Sequence, residues 1–181
     1  MSQPFILKRQ PEWSVRSMTA DQIPLVVSWI AGIDPLSTIN EPDLVADMQQ
    51  EFLHARTKTP SEYYIGFYDQ LETFYMVGFP FPGKGKYNSA SAKWRNDYEI
   101  TTLLVNPALS RELFLPLYHQ AVKFLFTREV IGRVLLQIEK TNDYLESVLS
   151  RLGFEPYEYS KKESVSYHWY ACRRSDFIKY T

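Results

Sequence analysis

Residues 98–126 read YEITTLLVNPALSRELFLPLYHQAVKFLF and leave the backbone little freedom. Tyr98 to Val105 is rich in β-branched and apolar residues and is closed by Asn106-Pro107, which predicts a buried strand. Leu113, Phe114, Leu117, Ala121, Phe124 and Leu125 recur at helical spacing, which predicts an amphipathic helix. Ser110, Arg111 and Glu112 lie in the turn between them. A strand, a turn and a helix whose first N–H groups lack intrahelical partners make a seat for a phosphate-bearing cofactor.

A second unit of the same kind follows. Val134 to Glu139 predicts a strand, Asn142 is a good helix N-cap, and Leu145, Val148, Leu149 and Leu152 line one face of a short helix. Gly153 is the expected stop.

The rest of the chain supplies strands and two early helices. Trp13 to Met18 alternates as a strand, and Thr19-Ala20-Asp21-Gln22 is a capping box before Ile23, Val26, Val27 and Ile30. Asn40, Glu41 and Pro42 open a second helix carrying Leu44, Val45, Met48 and Phe52 on one side. Tyr63–Tyr68 and Leu71–Phe79 are strands joined at Asp69-Gln70. Residues 80–97 carry Pro, Gly and Ser without a clean period and predict a long loop, either a lid or a solvated insertion. After Phe154 the chain continues as a strand through Tyr159, turns at 160–163, and returns from Val165 to Cys172. Residues 1–12 are expected as a loose arm. The predicted order is β-α-α-β-β-β-α-β-α-β-β, a single α/β domain spanning 1–181 around one mixed, largely antiparallel sheet flanked by helices.

Composition removes several classes of function. Apolar residues make up 45% and aromatics 15% of the chain, too many for a disordered segment. The net charge of -1 points to neither nucleic acid nor an anionic membrane as partner. A single cysteine, Cys172, leaves no internal disulfide framework and fits a reducing, cytoplasmic setting. No apolar run reaches membrane-spanning length, and Met1-Ser2-Gln3-Pro4 does not read as a signal peptide. His54, His119 and His168 share no metal-ligand spacing, so no metal is expected. Gly78 to Lys84 approaches a phosphate-binding P-loop. However, Gly85 replaces its Ser or Thr, Pro80 and Pro82 lack the N–H donors, and no helix follows.

Glu99-Ile100 followed by Leu104-Val105-Asn106-Pro107, then Asn142 followed by Gly153-Phe154, resemble the core of the GNAT (GCN5-related N-acetyltransferase) superfamily. The resemblance implies a GNAT-like fold and transfer of an acyl group from acetyl-CoA, or another acyl-CoA, to an amine on a small molecule or peptide. It implies that backbone near Leu103, Leu104 and Val105 pairs with the cofactor arm, and that Ser110, Arg111 and Asn142 belong to the cofactor site. Glu99 takes the place of a general base, with Glu139 as a second carboxylate on the other side of the cleft; a strand-edge carboxylate in solvent is the plain alternative for Glu99. No glycine stands between Val105 and Gly132, where the family's pyrophosphate turn carries them, and Leu149 takes the place of the family's Tyr acid. A homodimer is compatible with the resemblance.

A narrower resemblance is to the superfamily's siderophore branch, which acylates N-hydroxylysine-type amines. It rests on Asp97, Leu103 to Val105, Pro107, Phe124 to Phe126, Arg133-Val134, Asn142, Gly153-Phe154 and Arg173 to Phe177. In that branch's proposed catalytic pair, Thr102 stands for a His and Glu139 for an Asp. A catalytically degenerate GNAT-fold binding or regulatory module is the alternative from another class. The two are told apart by whether a cleft between the fourth and fifth strands is open or is plugged by Leu113 or Phe114.

Overall fold

The computed structural model describes residues 12–30, 62–82, 96–139, 142–157 and 167–177. The expected helix of 40–52, His54, the middle of the 80–97 stretch and residues 158–166 lie outside the described residues.

The chain opens with strand β1 (Trp13–Ser17), a 3-10 turn (Ala20–Gln22) and helix α1 (Ile23–Ile30). The predicted capping box is present: Gln22 Oε1 accepts from the Thr19 backbone N–H at 3.0 Å and from its hydroxyl at 3.1 Å. Strands β2 (Glu62–Tyr68), β3 (Leu71–Pro82) and β4 (Asn96–Val105) form an antiparallel meander beside β1. Asp69 and Gln70 join β2 to β3 with φ of 49° and 72°, the two left-handed residues of a tight hairpin.

A 3-10 turn (Arg111–Leu113) then runs into helix α2 (Phe114–Phe126), followed by β5 (Ile131–Glu139) and α3 (Asp143–Arg151). The two-residue strand β6 (Glu155–Pro156), strand β7 (Tyr167–Arg173) and the short helix α4 (Arg174–Phe177) complete the described chain. The sheet has seven strands among the described residues, in the order β1-β2-β3-β4-β5-β7-β6, and only β4 and β5 pair in parallel.

Two apolar layers cover the two faces. Leu117, Tyr118, Ala121, Val122 and Leu125 of α2, with Val148 and Leu149 of α3, pack on Phe74, Met76, Tyr98, Val134 and Cys172. Ile23, Val26 and Val27 of α1 pack with Met18 and Tyr75 on the other face. The buried stripe of α2 therefore runs through Tyr118, Val122 and Phe126, whereas the expected Leu113, Phe114 and Phe124 are only half-buried at its margin. Helix α3 ends as expected, with Gly153 at φ 83°; its N–H bonds Ser150 O, and the Phe154 N–H bonds Leu149 O, which together make a Schellman cap.

The expected loop of 80–97 is shorter at both ends. Pro80 pairs with Tyr98, Phe81 with Asp97 and Pro82 with Asn96. The two prolines fit a strand here because, among the described residues, β2 pairs no further than Glu62↔Gly78. Beyond Gly78, β3 has no ladder partner on that side among the described residues, so no donor is missed.

Candidate active site

The turn after β4 is built by Asn106. Its backbone N–H donates to Thr73 O at 2.9 Å, its Nδ2 to Glu72 O at 2.9 Å, and its Oδ1 accepts from Ala108 N at 2.9 Å. This ties the end of β4 to the start of β3. Ser110 then caps the next helix, its Oγ accepting from Glu112 N at 3.4 Å. Pro116 explains the 3-10 opening. It sits in the first turn of α2, the place in a helix that tolerates its missing N–H, so the chain tightens over Arg111–Leu113 before the α-helix begins.

Strand β4 parts from β5 halfway along. The parallel register runs from Asn96↔Ile131 to Ile100↔Leu136 and holds no further pair among the described residues, although β4 continues to Val105 and β5 to Glu139. The cause lies on the other edge of β4. Val77 faces Thr102 and Gly78 faces Ile100, so Thr101 is the extra residue of a β-bulge. The Thr101 hydroxyl donates to Val77 O at 3.2 Å. A bulge bends its strand and reverses the alternation of side chains: Tyr98 and Ile100 face the α2 layer before it, Leu103 and Val105 after it. Leu104 packs instead with the α1 layer. Gly78 permits the close approach, since a Cβ there would sit 2.3 Å from Glu99 O and 2.5 Å from Tyr98 Cε1.

The paired half is held at its base by a fork of charge. Arg133 Nε donates to Asp97 Oδ1 at 3.1 Å and Arg133 Nη2 to Asp97 Oδ2, across the β4–β5 ladder. The Arg133 guanidinium lies 4.7 Å from the Tyr157 ring centroid, and the hydrogen bond to Asp97 raises its pKa above the ordinary arginine value.

The expected site residues fall as follows. Glu99 is half-buried in the last part of the paired ladder, opposite Phe79 and Leu135, one residue before the register ends. Leu103, Leu104 and Val105 pair with β3 but belong to the half of β4 that has no β5 partner among the described residues. Along such an edge, alternate residues present N–H and C=O groups to whatever lies in the opening. Ser110 and Arg111 begin the helical stretch beyond the strand end. Asn142 is the N-cap of α3, its Oδ1 accepting from Leu145 N at 3.1 Å. Glu139 closes β5 opposite Tyr167, at the far end of the opening from Glu99.

Two residues outside that set lie beside it. Thr101 is the bulge, which no periodicity marks. Tyr144 donates its hydroxyl to Arg111 O at 2.7 Å, its ring lies 5.9 Å from the Arg111 guanidinium carbon, and it meets the Phe114 ring edge-on at 6.0 Å. Leu149 is fully buried in the core. Among the described residues no group of His, Cys, Asp or Glu could hold a metal ion, and no helix is long and apolar enough to cross a membrane.

No family model matches the chain, and no curated protein matches it. Solved structures do. An uncharacterized protein from Bacillus halodurans superposes with a TM-score of 0.71 at 17% identity, over 94% of this chain and 88% of the other. The aminoglycoside acetyltransferase AAC(6')-Ib, solved in complex with coenzyme A, gives 0.68 at 16% identity, over 93% and 98%. FdhC, described as a nucleotide-linked sugar GNAT, gives 0.65 at 10% identity, over 92% and 89%. The parted parallel strands and these superpositions agree: the fold of this chain is that of the GNAT acetyltransferases.

Proposed function

We propose that the chain is an acyl-CoA-dependent N-acyltransferase, acetyl-CoA being the simplest donor, acting on a small-molecule or peptide amine. The observation that carries this reading is the opening of β4 from β5 after Ile100↔Leu136. It offers a run of main chain for the amides of a pantetheine arm, and that run leads to the turn carrying Ser110 and Arg111. The residues fit such a ligand by strand edge, one cation and a helix N-terminus rather than by glycines.

The acyl-CoA supplies the thioester. The chain's own groups would manage charge and protons. A bulge leaves its extra residue out of the ladder, so main chain at Thr101 is placed to polarise the thioester carbonyl at the head of the opening. The Glu99 carboxylate takes the proton that an ammonium acceptor must lose before it attacks. The C–S bond breaks as the new C–N bond forms, and the electron pair leaves on sulfur. A thiol has an unperturbed pKa of ~8.5, so a thiolate departs without the acid that buried Leu149 cannot provide, and it then takes up through solvent the proton that the new amide nitrogen sheds.

Titration calorimetry with CoA and acetyl-CoA tests the reading, and no detectable binding of either removes it. Glu99→Gln is expected to lower kcat by about 10²-fold or more with little change in acetyl-CoA affinity, the usual scale for a lost general base. Unchanged turnover clears Glu99 of that role. Similar folds are described as acting on aminoglycosides and nucleotide-linked sugars, so the acceptor screen begins with amino sugars. N-hydroxylysine-type amines form its second arm, with Glu139 as the carboxylate to substitute.

A second reading has one observation in its favour. Tyr144, Arg111 and Phe114 meet across the far end of the opening, as in a module that has given up the cofactor. Binding of CoA without turnover on any amine would select it.

A further inference from the structure

The strands that part are also the strands that deliver helices α2 and α3. β4 ends at Val105 and feeds the turn to Arg111; β5 ends at Glu139 and feeds the α3 N-cap, Asn142. Both helix starts therefore stand beyond the open end of the cleft, one on each arm. The Tyr144–Arg111 contact joins them.

Three interactions make up that contact, and all depend on one side chain. The Tyr144 hydroxyl donates to Arg111 O at 2.7 Å, an oxygen that also accepts the Phe114 N–H inside the 3-10 turn. The Arg111 guanidinium rests 5.9 Å from the ring centroid, at the limit of a cation–π contact. Phe114 touches the ring edge-on. Tyr144 is nevertheless 43% exposed, one of three large apolar side chains so open among the described residues. A contact this exposed opens readily. Arg111 is also the single cation of residues 106–113, NPALSREL. In this arrangement the charge that an anionic ligand would seek is laid on an aromatic face.

We propose that Tyr144 is a strap across the mouth of the cleft. It is closed when no carrier is bound, and it is released when the diphosphate of an acyl-CoA draws Arg111 off its ring. This proposal rests on the acyl-CoA reading above. The strap replaces what glycines do elsewhere: without them the turn is held in one shape by a side chain that must move, rather than by backbone that can yield.

The test compares the full chain with Tyr144→Phe, which keeps the ring and removes the hydrogen bond, and Tyr144→Ala, which removes all three contacts. Amide hydrogen exchange over 106–114 is followed without ligand, and association of CoA by stopped flow. Breaking one hydrogen bond of ordinary net strength predicts about fivefold faster exchange in Tyr144→Phe, and a similar rise in the CoA association rate. Tyr144→Ala should exceed both. Exchange equal to wild type overturns the strap whatever CoA does. Slower CoA association, or an unchanged rate, in both variants also overturns it and makes Tyr144 a ligand contact or a surface residue. Faster exchange in variants that, like the wild type, bind no CoA would keep the closed contact and remove the acyl-CoA reading.

Discussion

Single residues set the geometry of the opening more than their chemistry suggests. Gly78 is the clearest. The backbone of β4 approaches so closely that a methyl group would overlap Glu99 O, and a carbonyl oxygen cannot swing aside as a side chain can. Gly78→Ala is expected to cost about 3 kcal/mol, the upper end for overpacking, read as a lower urea midpoint at unchanged slope. His119 makes a different kind of prediction. It stacks on Phe177 at 5.1 Å, and burial, followed by the charge of Lys123, lowers its pKa below the usual 6.5. The unfolded chain therefore binds the proton more readily. Stability should be full above about pH 6.5 and should fall as pH drops from there toward the folded value. His119→Phe should flatten that part of the profile, and an unchanged slope would remove His119 as its source.

Elements are held to one another by a few polar ties, each with an identifiable consequence. Arg174 is the most heavily used. Its Nη1 donates to Phe126 O, its Nη2 to Arg128 O at 2.5 Å and to Ile131 O at 2.7 Å, and its Nε to Ile131 O at 3.1 Å. It thus satisfies the Phe126 carbonyl that the end of α2 leaves over, ties the turn at Arg128 to the start of β5 at Ile131, and places positive charge where the helix dipole favours it. Arg174→Ala is expected to lose about 2 kcal/mol. Arg174→Lys should recover little of this, since one ammonium cannot span three carbonyls. The result is checked by chemical denaturation. Within the Arg173 to Phe177 run, Arg174 has this structural role. The Asp97–Arg133 fork acts likewise on the sheet, pinning the half of β4–β5 that must stay paired while the other half parts. On the opposite face, Glu62 and Arg128 pair at 2.5 Å beside Tyr64, whose hydroxyl donates to Glu62 at 3.1 Å.

At the scale of the molecule, the sheet is two units meeting at one short parallel seam. A ligand that fills the divergence would bind only the folded chain. Acetyl-CoA at about 100 times its dissociation constant should therefore stabilise the fold by about 2.7 kcal/mol, seen as a higher melting temperature. No shift at that concentration would speak against a carrier in the cleft.

The strand–turn–helix units, the Thr19 and Asn142 caps and the Gly153 stop were all legible along the chain, because each is fixed by residues within a few positions of one another. So were the single mixed sheet and the order of the described elements apart from the short closing helix α4, which follow from where apolar periodicity changes from two to 3.6. The ends of β3 and β4 were not, because a proline in a strand is tolerated only if the neighbouring strand has stopped, and that depends on β2. The bulge at Thr101 was not, because register is a relation between two strands and neither sequence carries it alone. The Tyr144 contact was not, because Arg111 and Tyr144 are 33 residues apart. Local chemistry wrote the elements and their stops; only packing β4 between an antiparallel and a parallel neighbour decided where the sheet opens, since that opening is a disagreement between two registers.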